Sequence, residues 1–527
     1  MSESGTEERS RTTTQSQQTL RQHLVIVSLF LTLFLSALDV TIVAPALPII
    51  ARHLNATTAQ YTWVGSAYTL ASTSTTPLWA KVSDIWGRKL VLMVTNAVFL
   101  CGSLICALSV SPMMLIGGRV VQGIGGGGII VMVTIIIGDL FTLRERAKYY
   151  ALTGIVWAIA SGVGPILGGV FTQTIGWEWC SVEVYINLPF DGLSLILLFF
   201  FMRLKPTSAP VTTLRTFDFT GCILVISGTV CFLYGLENGS GSHGWSAAQT
   251  LGLLIGGLAL LVVFTLYEWR VAKEPILPLR HLLTRATIPC LLTATFHSFT
   301  FIPYTYFNPL YFQSVLHISP IKSGVYLFAL VLPLSAMTLA SGLYVKRTGS
   351  YRPIIWVAGA LMLTGTALFI DFDTHLSLEK IVLYQLVAGL GAGPLFQAPM
   401  IAYQSCLEPS MVAPGNAALA FLKNLGTSLS LVLGGVVVQG VGRGLLTGGV
   451  EEGDNSRAER ASSQQEEESF MKGLKAMWIF YTGTCLIMWL ASFLIVRKDL
   501  DGKDEAVGGL VEPTTTDEGK DVEKSGI

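Results

Sequence analysis

Fourteen apolar runs, each about as long as a helix that crosses a bilayer, dominate this chain. They lie near 24–50, 61–80, 90–109, 112–139, 149–171, 184–202, 217–236, 247–268, 286–311, 323–345, 353–370, 381–403, 414–440 and 476–496. In lipid every backbone N–H and C=O needs an internal partner, so runs of this length form helices. Charged residues make up only 13% of the chain, against about 25% in soluble domains. The reading is an all-α polytopic membrane protein.

Loop charges orient it. With the N-terminus in the cytosol, five successive inner loops hold sixteen basic residues. These are Lys81, Arg88 and Lys89; Arg144, Arg146 and Lys148; Arg203, Lys205 and Arg215; Arg270, Lys273, Arg280 and Arg285; and Lys346, Arg347 and Arg352. The short outer loops hold Arg52, Lys322 and Lys380. Basic residues in short loops stay inside, so this asymmetry fixes the orientation and supports an even number of spans. Sequons at Asn55 and Asn238 both fall in loops placed outside, which makes them candidate N-glycosylation sites.

Several function classes drop out. Basic and acidic residues balance at 34 each, so no bulk attraction to nucleic acid is expected. The eight cysteines show no Cys-x-x-Cys spacing, and no disulfide framework, metal site or cofactor is expected. Residues 123–128 are glycine-rich but lie within an apolar span and lack the Lys-Ser/Thr ending of a phosphate loop. No Gly-x-Ser-x-Gly elbow or His-x-x-x-His pair is present, so an enzyme is not expected. Residues 1–23 and 497–527 are polar and read as disordered cytosolic tails, and the acidic stretch 441–475 reads as a disordered outer loop.

Between the second and third runs lies Leu78-Trp-Ala-Lys-Val-Ser-Asp84-Ile-Trp-Gly87-Arg88-Lys89. Gly87 permits a tight reversal, and Asp84 gives Arg88 a carboxylate four residues away. This spacing resembles the loop between helices 2 and 3 of the major facilitator superfamily, with Ala80 in place of that motif's first glycine. A weak internal repeat agrees. Arg119-Val-Val-Gln-Gly-Ile-Gly-Gly-Gly127 aligns with Gln385-Leu-Val-Ala-Gly-Leu-Gly-Ala-Gly393 at an offset of 266, and the Gly87 loop aligns with Gly342–Gly349 at an offset of 262. Two related six-helix bundles, 24–203 and 286–496, are expected, with two extra central helices in a linker at 204–285.

Asp39 lies about 22 Å into the first span at the helical rise, and Arg119 about 10 Å inside the outer end of the fourth. Their depths match well enough to pair. A carboxylate at helix centre costs about 2.5–3.5 kcal/mol, so such a group faces a polar interior and marks an ion or substrate path. A buried pair can also serve only to hold a bundle together.

Span 5 carries Gly162-Val-Gly164-Pro165-Ile-Leu-Gly168-Gly169. Small residues four apart let helices approach closely, and Pro165 invites a bend. The full string is similar to the motif of antiporters among facilitator proteins. Together with Asp39-x-Thr41 and Arg119-x-x-Gln122-Gly123, it resembles the fourteen-helix drug:proton antiporter branch of fungal-type multidrug and toxin efflux pumps. The resemblance implies export of hydrophobic drugs, toxins or secondary metabolites in exchange for protons, by a monomer in the plasma membrane. It also implies that Asp39, Thr41, Arg119 and Gln122 form the proton-coupling or substrate site. Gly162, Gly164, Pro165, Gly168 and Gly169 would form a hinge between bundles, and Asp84, Gly87, Arg88, Lys89 and Asp139 a cytosolic latch. Glu178 and residues 180–184 depart from the family pattern near the outer gate. Related carriers move amino acids or siderophores, some at the vacuolar membrane, and that alternative stays open.

Lys423 sits about 13 Å inside span 13, too deep to snorkel easily, and with Asn424 is a candidate cavity residue. His297 and Tyr304 in span 9 are further candidates, on a helix also rich in Phe. Such an aromatic helix either lines a pocket for flat apolar substrates or packs as core.

Overall fold

The computed structural model describes residues 22–42, 58–174, 182–202, 217–240, 244–375, 377–446 and 455–498, with residues 54, 56 and 500. Its helices are α1 Gln22–Ile42, α2 Thr58–Trp86, α3 Arg88–Ala107, α4 Pro112–Leu140, α5 Leu143–Thr174, α6 Val182–Phe201, α7 Phe219–Ser240 and α8 Ala248–Arg270. A short α9, Leu279–Leu282, leads to α10 Ile288–Ser314, α11 Pro320–Thr348 and α12 Arg352–Leu368. Then follow α13 Leu378–Leu395, α14 Ala398–Ser405, α15 Val412–Leu446 and α16 Asn455–Phe493. No strand occurs among the described residues.

Ten of these helical stretches are long and apolar enough to cross a membrane, the α13–α14 pair counting as one. The helices α2, α5, α6 and α10 complete the fourteen. Many side chains of α2 are hydroxyls, which lowers its hydropathy, yet they return their hydrogens to the helix's own carbonyls. Thr73 donates to Thr69 O at 2.8 Å, Thr75 to Ala71 O at 2.7 Å and Thr76 to Ser72 O at 2.7 Å. A hydroxyl satisfied in this way is tolerated in lipid.

Two expectations change. The run at 381–403 is not one helix but α13 and α14, interrupted at Phe396 and Gln397. Pro394 and Pro399 lack N–H groups, and each removes a rung of the ladder. The acidic stretch expected to be unordered is helical from Asn455, so α16 starts well before 476. Its Glu, Gln, Ala and Arg residues are strong helix formers, and continuation from a membrane span removes the nucleation cost.

Helices α2 and α3 pack on α4, with α6 against α3, while α10, α12 and α16 gather with α13 and α15. Between these bundles α5 packs along α11 and α2 along α15, and the α7–α8 hairpin leans α7 against both α2 and α15. The remaining face of α8 carries Ile255, Leu258, Val262 and Leu266, all at least half exposed, as a lipid-facing helix does.

The two bundles repeat each other at atomic detail. A Cβ on Gly123 would lie 2.3 Å from Tyr68 O of α2, one on Gly125 2.4 Å from Phe99 N of α3, and one on Gly127 2.7 Å from Ser72 O of α2. In the second bundle Gly389 meets Leu330 O of α11 at 2.4 Å, Gly391 meets Met362 N of α12 at 2.1 Å, and Gly393 meets Leu334 O of α11 at 2.4 Å. The glycine run is therefore a packing wedge, small because two backbones cross it at contact distance. The loops match too: Gly87 has φ 86° and Gly349 has φ 65°, a region in which glycine alone is unstrained.

Candidate functional site

At the centre of the first bundle, α1 and α4 bring together a carboxylate and a guanidinium that are both buried. Arg119 Nη1 donates to Asp39 Oδ2 at 2.7 Å, and Gln122 Nε2 donates to Asp39 Oδ1 at 2.8 Å. Gln122 is held by a second donation to Ser103 Oγ of α3 at 2.8 Å, and its Oε1 accepts from Arg119 at 3.0 Å. Arg119 Nε reaches Val64 O of α2 at 3.3 Å, and its guanidinium lies 4.8 Å from the centre of the Tyr68 ring. Asp39 is 0% exposed and Arg119 4%. Each charge is thus matched by the other and by neutral donors or acceptors, as a charge removed from water requires. Gln122, Arg119 and Ser103 are close enough to interlock because Gly102 on α3 leaves no Cβ between α3 and α4; one there would lie 2.3 Å from Gln122 N.

Thr41 links this cluster to α5. Its Oγ1 donates to Ala160 O at 3.1 Å, and a Cβ on Gly164 would lie 2.2 Å from the same Thr41 Oγ1. Gly162, half a turn away, faces Phe328 of α11 in the other bundle, with a Cβ position 2.8 Å from its ring. Gly154 and Gly342 continue the same seam, against Thr338 of α11 and Ala147 of α5. Pro165, Gly168 and Gly169 lie in α5, but their surroundings are outside the described residues.

At the Gly87 end of the first bundle Arg88 donates Nη1 to Asp84 Oδ1 at 2.6 Å and Nε to Asp139 Oδ2 at 3.0 Å, joining the Gly87 turn to the end of α4. Lys89 donates to Phe199 O of α6 at 2.6 Å. All of these ties lie within the first bundle. Of the residues whose ties cross between bundles, Arg144 was read in the sequence only as an orientation signal and the others were not singled out. Arg144 donates to Lys346 O at 2.6 Å and to Arg347 O at 2.7 Å. Gln404 Nε2 donates across to Tyr150 Oη at 3.0 Å and, within its own bundle, to Asn416 Oδ1 at 2.8 Å, and Gln397 Nε2 reaches across to Thr153 Oγ1 at 3.4 Å. The two bundles are closed against each other at this end.

Among the residues suggested for a second-bundle cavity, Tyr304 is fully buried core, hydrogen-bonded to Thr366 and packed on Phe369 and Trp478. His297 is 0% exposed, with Nε2 3.1 Å from Ala392 O. Lys423 and Asn424 on α15 are half-buried, and the Lys423 ammonium lies 5.7 Å from the centre of the Phe396 ring.

Asp191 of α6 was missed by sequence reasoning. It is 0% exposed, and neither carboxyl oxygen has a hydrogen-bond partner among the described residues. One turn further on, Ser194 donates to Ser28 O at 3.1 Å and meets Thr32 at 3.2 Å, so this face of α6 lies on α1, the helix that carries Asp39. An acidic residue inside an apolar run was the available signal. Of the sequons, Asn55 lies outside the described residues. Asn238 sits in the last turn of α7, 7% exposed with its Nδ2 shielded, so glycan transfer there needs that turn unfolded. No group of residues that could hold a metal ion occurs among the described residues.

The family model described as "Major Facilitator Superfamily" matches residues 29–431. The efflux pump dotC of Dothistroma septosporum is 41% identical over 495 residues, covering 90% of this chain and 84% of that protein. The efflux pump FUS6 of Gibberella moniliformis is 33% identical over 514 residues, covering 93% and 90%. The human organic anion transporter MFSD10 (TETRAN) superposes with a TM-score of 0.58 at 17% identity, covering 89% of this chain and 99% of that one, which is a likeness of fold. Fourteen membrane helices in two repeated bundles and the family match agree: this chain is a multi-pass membrane transporter, not an enzyme, and belongs to the major facilitator superfamily.

Proposed function

We propose that this transporter is a proton-coupled antiporter that exports hydrophobic drugs, toxins or secondary metabolites, acting as a monomer in the plasma membrane. The observation that carries this reading is the carboxylate of Asp39, fully withdrawn from water yet held by Arg119 and Gln122. A proton added to Asp39 removes the charge that holds Arg119 and leaves a guanidinium to find another partner. Because Thr41 on the same helix bears on Ala160 and Gly164, a shift of α1 is felt by α5, and through the small-residue seam by α11. Movement of one bundle against the other around a midplane site is how such repeats alternate access. Asp191, buried beside α1 with no hydrogen-bond donor among the described residues, is a second carboxyl on the same path that can take up a proton. The efflux-pump names of relatives 33–41% identical support the outward direction.

Cells expressing the protein and loaded with a hydrophobic dye test this reading. Export is expected to collapse on adding a protonophore and to be lost in Asp39→Asn, with the variant still at the cell surface. Export at full rate under a protonophore would reject proton coupling.

A further inference from the structure

The second bundle holds a cation that the mechanism above does not use. Lys423 lies about 16 Å along α15 from Val412 at the helical rise, far from either end of that helix. One turn on, Gly426 rests against Thr295 of α10, so this face of α15 looks into the bundle, not toward lipid. Among the described residues no carboxylate pairs with Lys423. In the first bundle Asp39 and Arg119 cancel each other, whereas Lys423 has no such counter-charge among the described residues.

An ammonium in such a place needs a counter-charge, because an unpaired buried ion is costly. Its surroundings are aromatic. The Phe396 ring, at the break between α13 and α14, stands 5.7 Å from the ammonium; it meets His297 edge-on at 4.6 Å and Phe301 at 4.9 Å. The His297 Nε2–H donates to Ala392 O, which leaves Nδ1 as a lone-pair acceptor with no partner among the described residues. Lys423, Phe396 and Phe301 are all partly accessible, while His297 behind them is sealed. A small hydrated anion gains little from ring walls, whereas a flat organic acid can lay its rings on Phe396 and Phe301 and its carboxylate on Lys423.

We propose that Lys423, Phe396 and Phe301 form a subsite for the anionic group of an aromatic substrate, so that the preferred cargo is an amphipathic organic acid. This rests on reading the bundle interior as the transport path, and it narrows the substrate class.

Equilibrium binding to purified protein in nanodiscs, with no gradient imposed, tests it. The probes are anthracene-9-carboxylate and its methyl ester, followed by their fluorescence and corrected with empty nanodiscs. The acid is expected to bind at least about ten-fold more tightly than the ester. Lys423→Gln is expected to remove that preference through weaker acid binding and Lys423→Arg to keep it. Phe396→Ala is expected to weaken acid and ester alike. Inorganic phosphate is expected not to displace the acid. Equal binding of acid and ester to the unmodified protein, binding of neither, displacement by phosphate, or an unchanged preference in Lys423→Gln would each overturn the proposal. Acid binding through Lys423 without proton-driven export would instead reject the antiport reading and leave the subsite standing.

Discussion

Arg119 and Gln385 occupy equivalent positions in the two bundles and make the same hydrogen bond. Arg119 Nε donates to Val64 O of α2 at 3.3 Å, and Gln385 Nε2 donates to Tyr326 O of α11 at 3.1 Å. The scaffold at this point needs only a donor. The positive charge of the first bundle is an addition, and Asp39 is what it meets.

Arg119→Gln therefore is expected to fold, since the second bundle already uses glutamine in this place. The variant strands Asp39, and removing one partner of a buried pair costs about 3–5 kcal/mol unless the carboxyl takes up a proton. Export below about a tenth of normal, with an ordinary size-exclusion profile, is the expected result.

Arg144→Ala removes two hydrogen bonds from a guanidinium to carbonyls of the opposite bundle. Bonds to charged groups contribute about 1.5–3 kcal/mol each, enough to shift the balance toward a cytosol-open form by about ten-fold or more. Labelling of a cysteine placed at Thr153 by a cytosolic thiol reagent is expected to speed up accordingly.

The glycine wedge is sensitive in both halves. Gly125→Val and Gly391→Val place a side chain where a Cβ already lies 2.4 Å and 2.1 Å from opposing backbone nitrogens, and both are expected to lose most folded protein. Gly256→Val on α8, with nothing within 4 Å, is expected to express normally. Fluorescence-detected size exclusion compares the three.

Much of the fold was legible because bilayer thickness sets helix length and the internal repeat fixes which helices correspond. The Asp39–Arg119 pairing was legible because two rare intramembrane charges lay at similar depth. Other features depend on tertiary neighbours. The role of Arg144 rests on carbonyls some 200 residues away, at Lys346 and Arg347. Tyr304 was offered as a cavity residue, but Thr366, Phe369 and Trp478 enclose it. Asp191 was hidden in plain sight, a single carboxyl in an apolar run whose missing partners only a structure displays. The early start of α16 followed from composition and was misread as disorder because charge was weighed and helix propensity was not.

Asp191→Asn keeps a polar group of the same shape at this position, so folding is expected to be unaffected. If the acid carries a proton during the cycle, the dependence of export rate on external pH flattens in this variant, while affinity for cargo changes less than about three-fold. Rates measured across a pH series in energised vesicles test this.

The central claim is that one buried carboxylate exchanges a proton against cargo. Its most direct test is proton movement recorded by a trapped pH dye in proteoliposomes when a cargo gradient is imposed with no pH gradient. The account predicts cargo-driven proton flux in the opposite direction, abolished in Asp39→Asn although cargo still binds. Cargo flux without proton flux, or the same proton flux in Asp39→Asn, would contradict it.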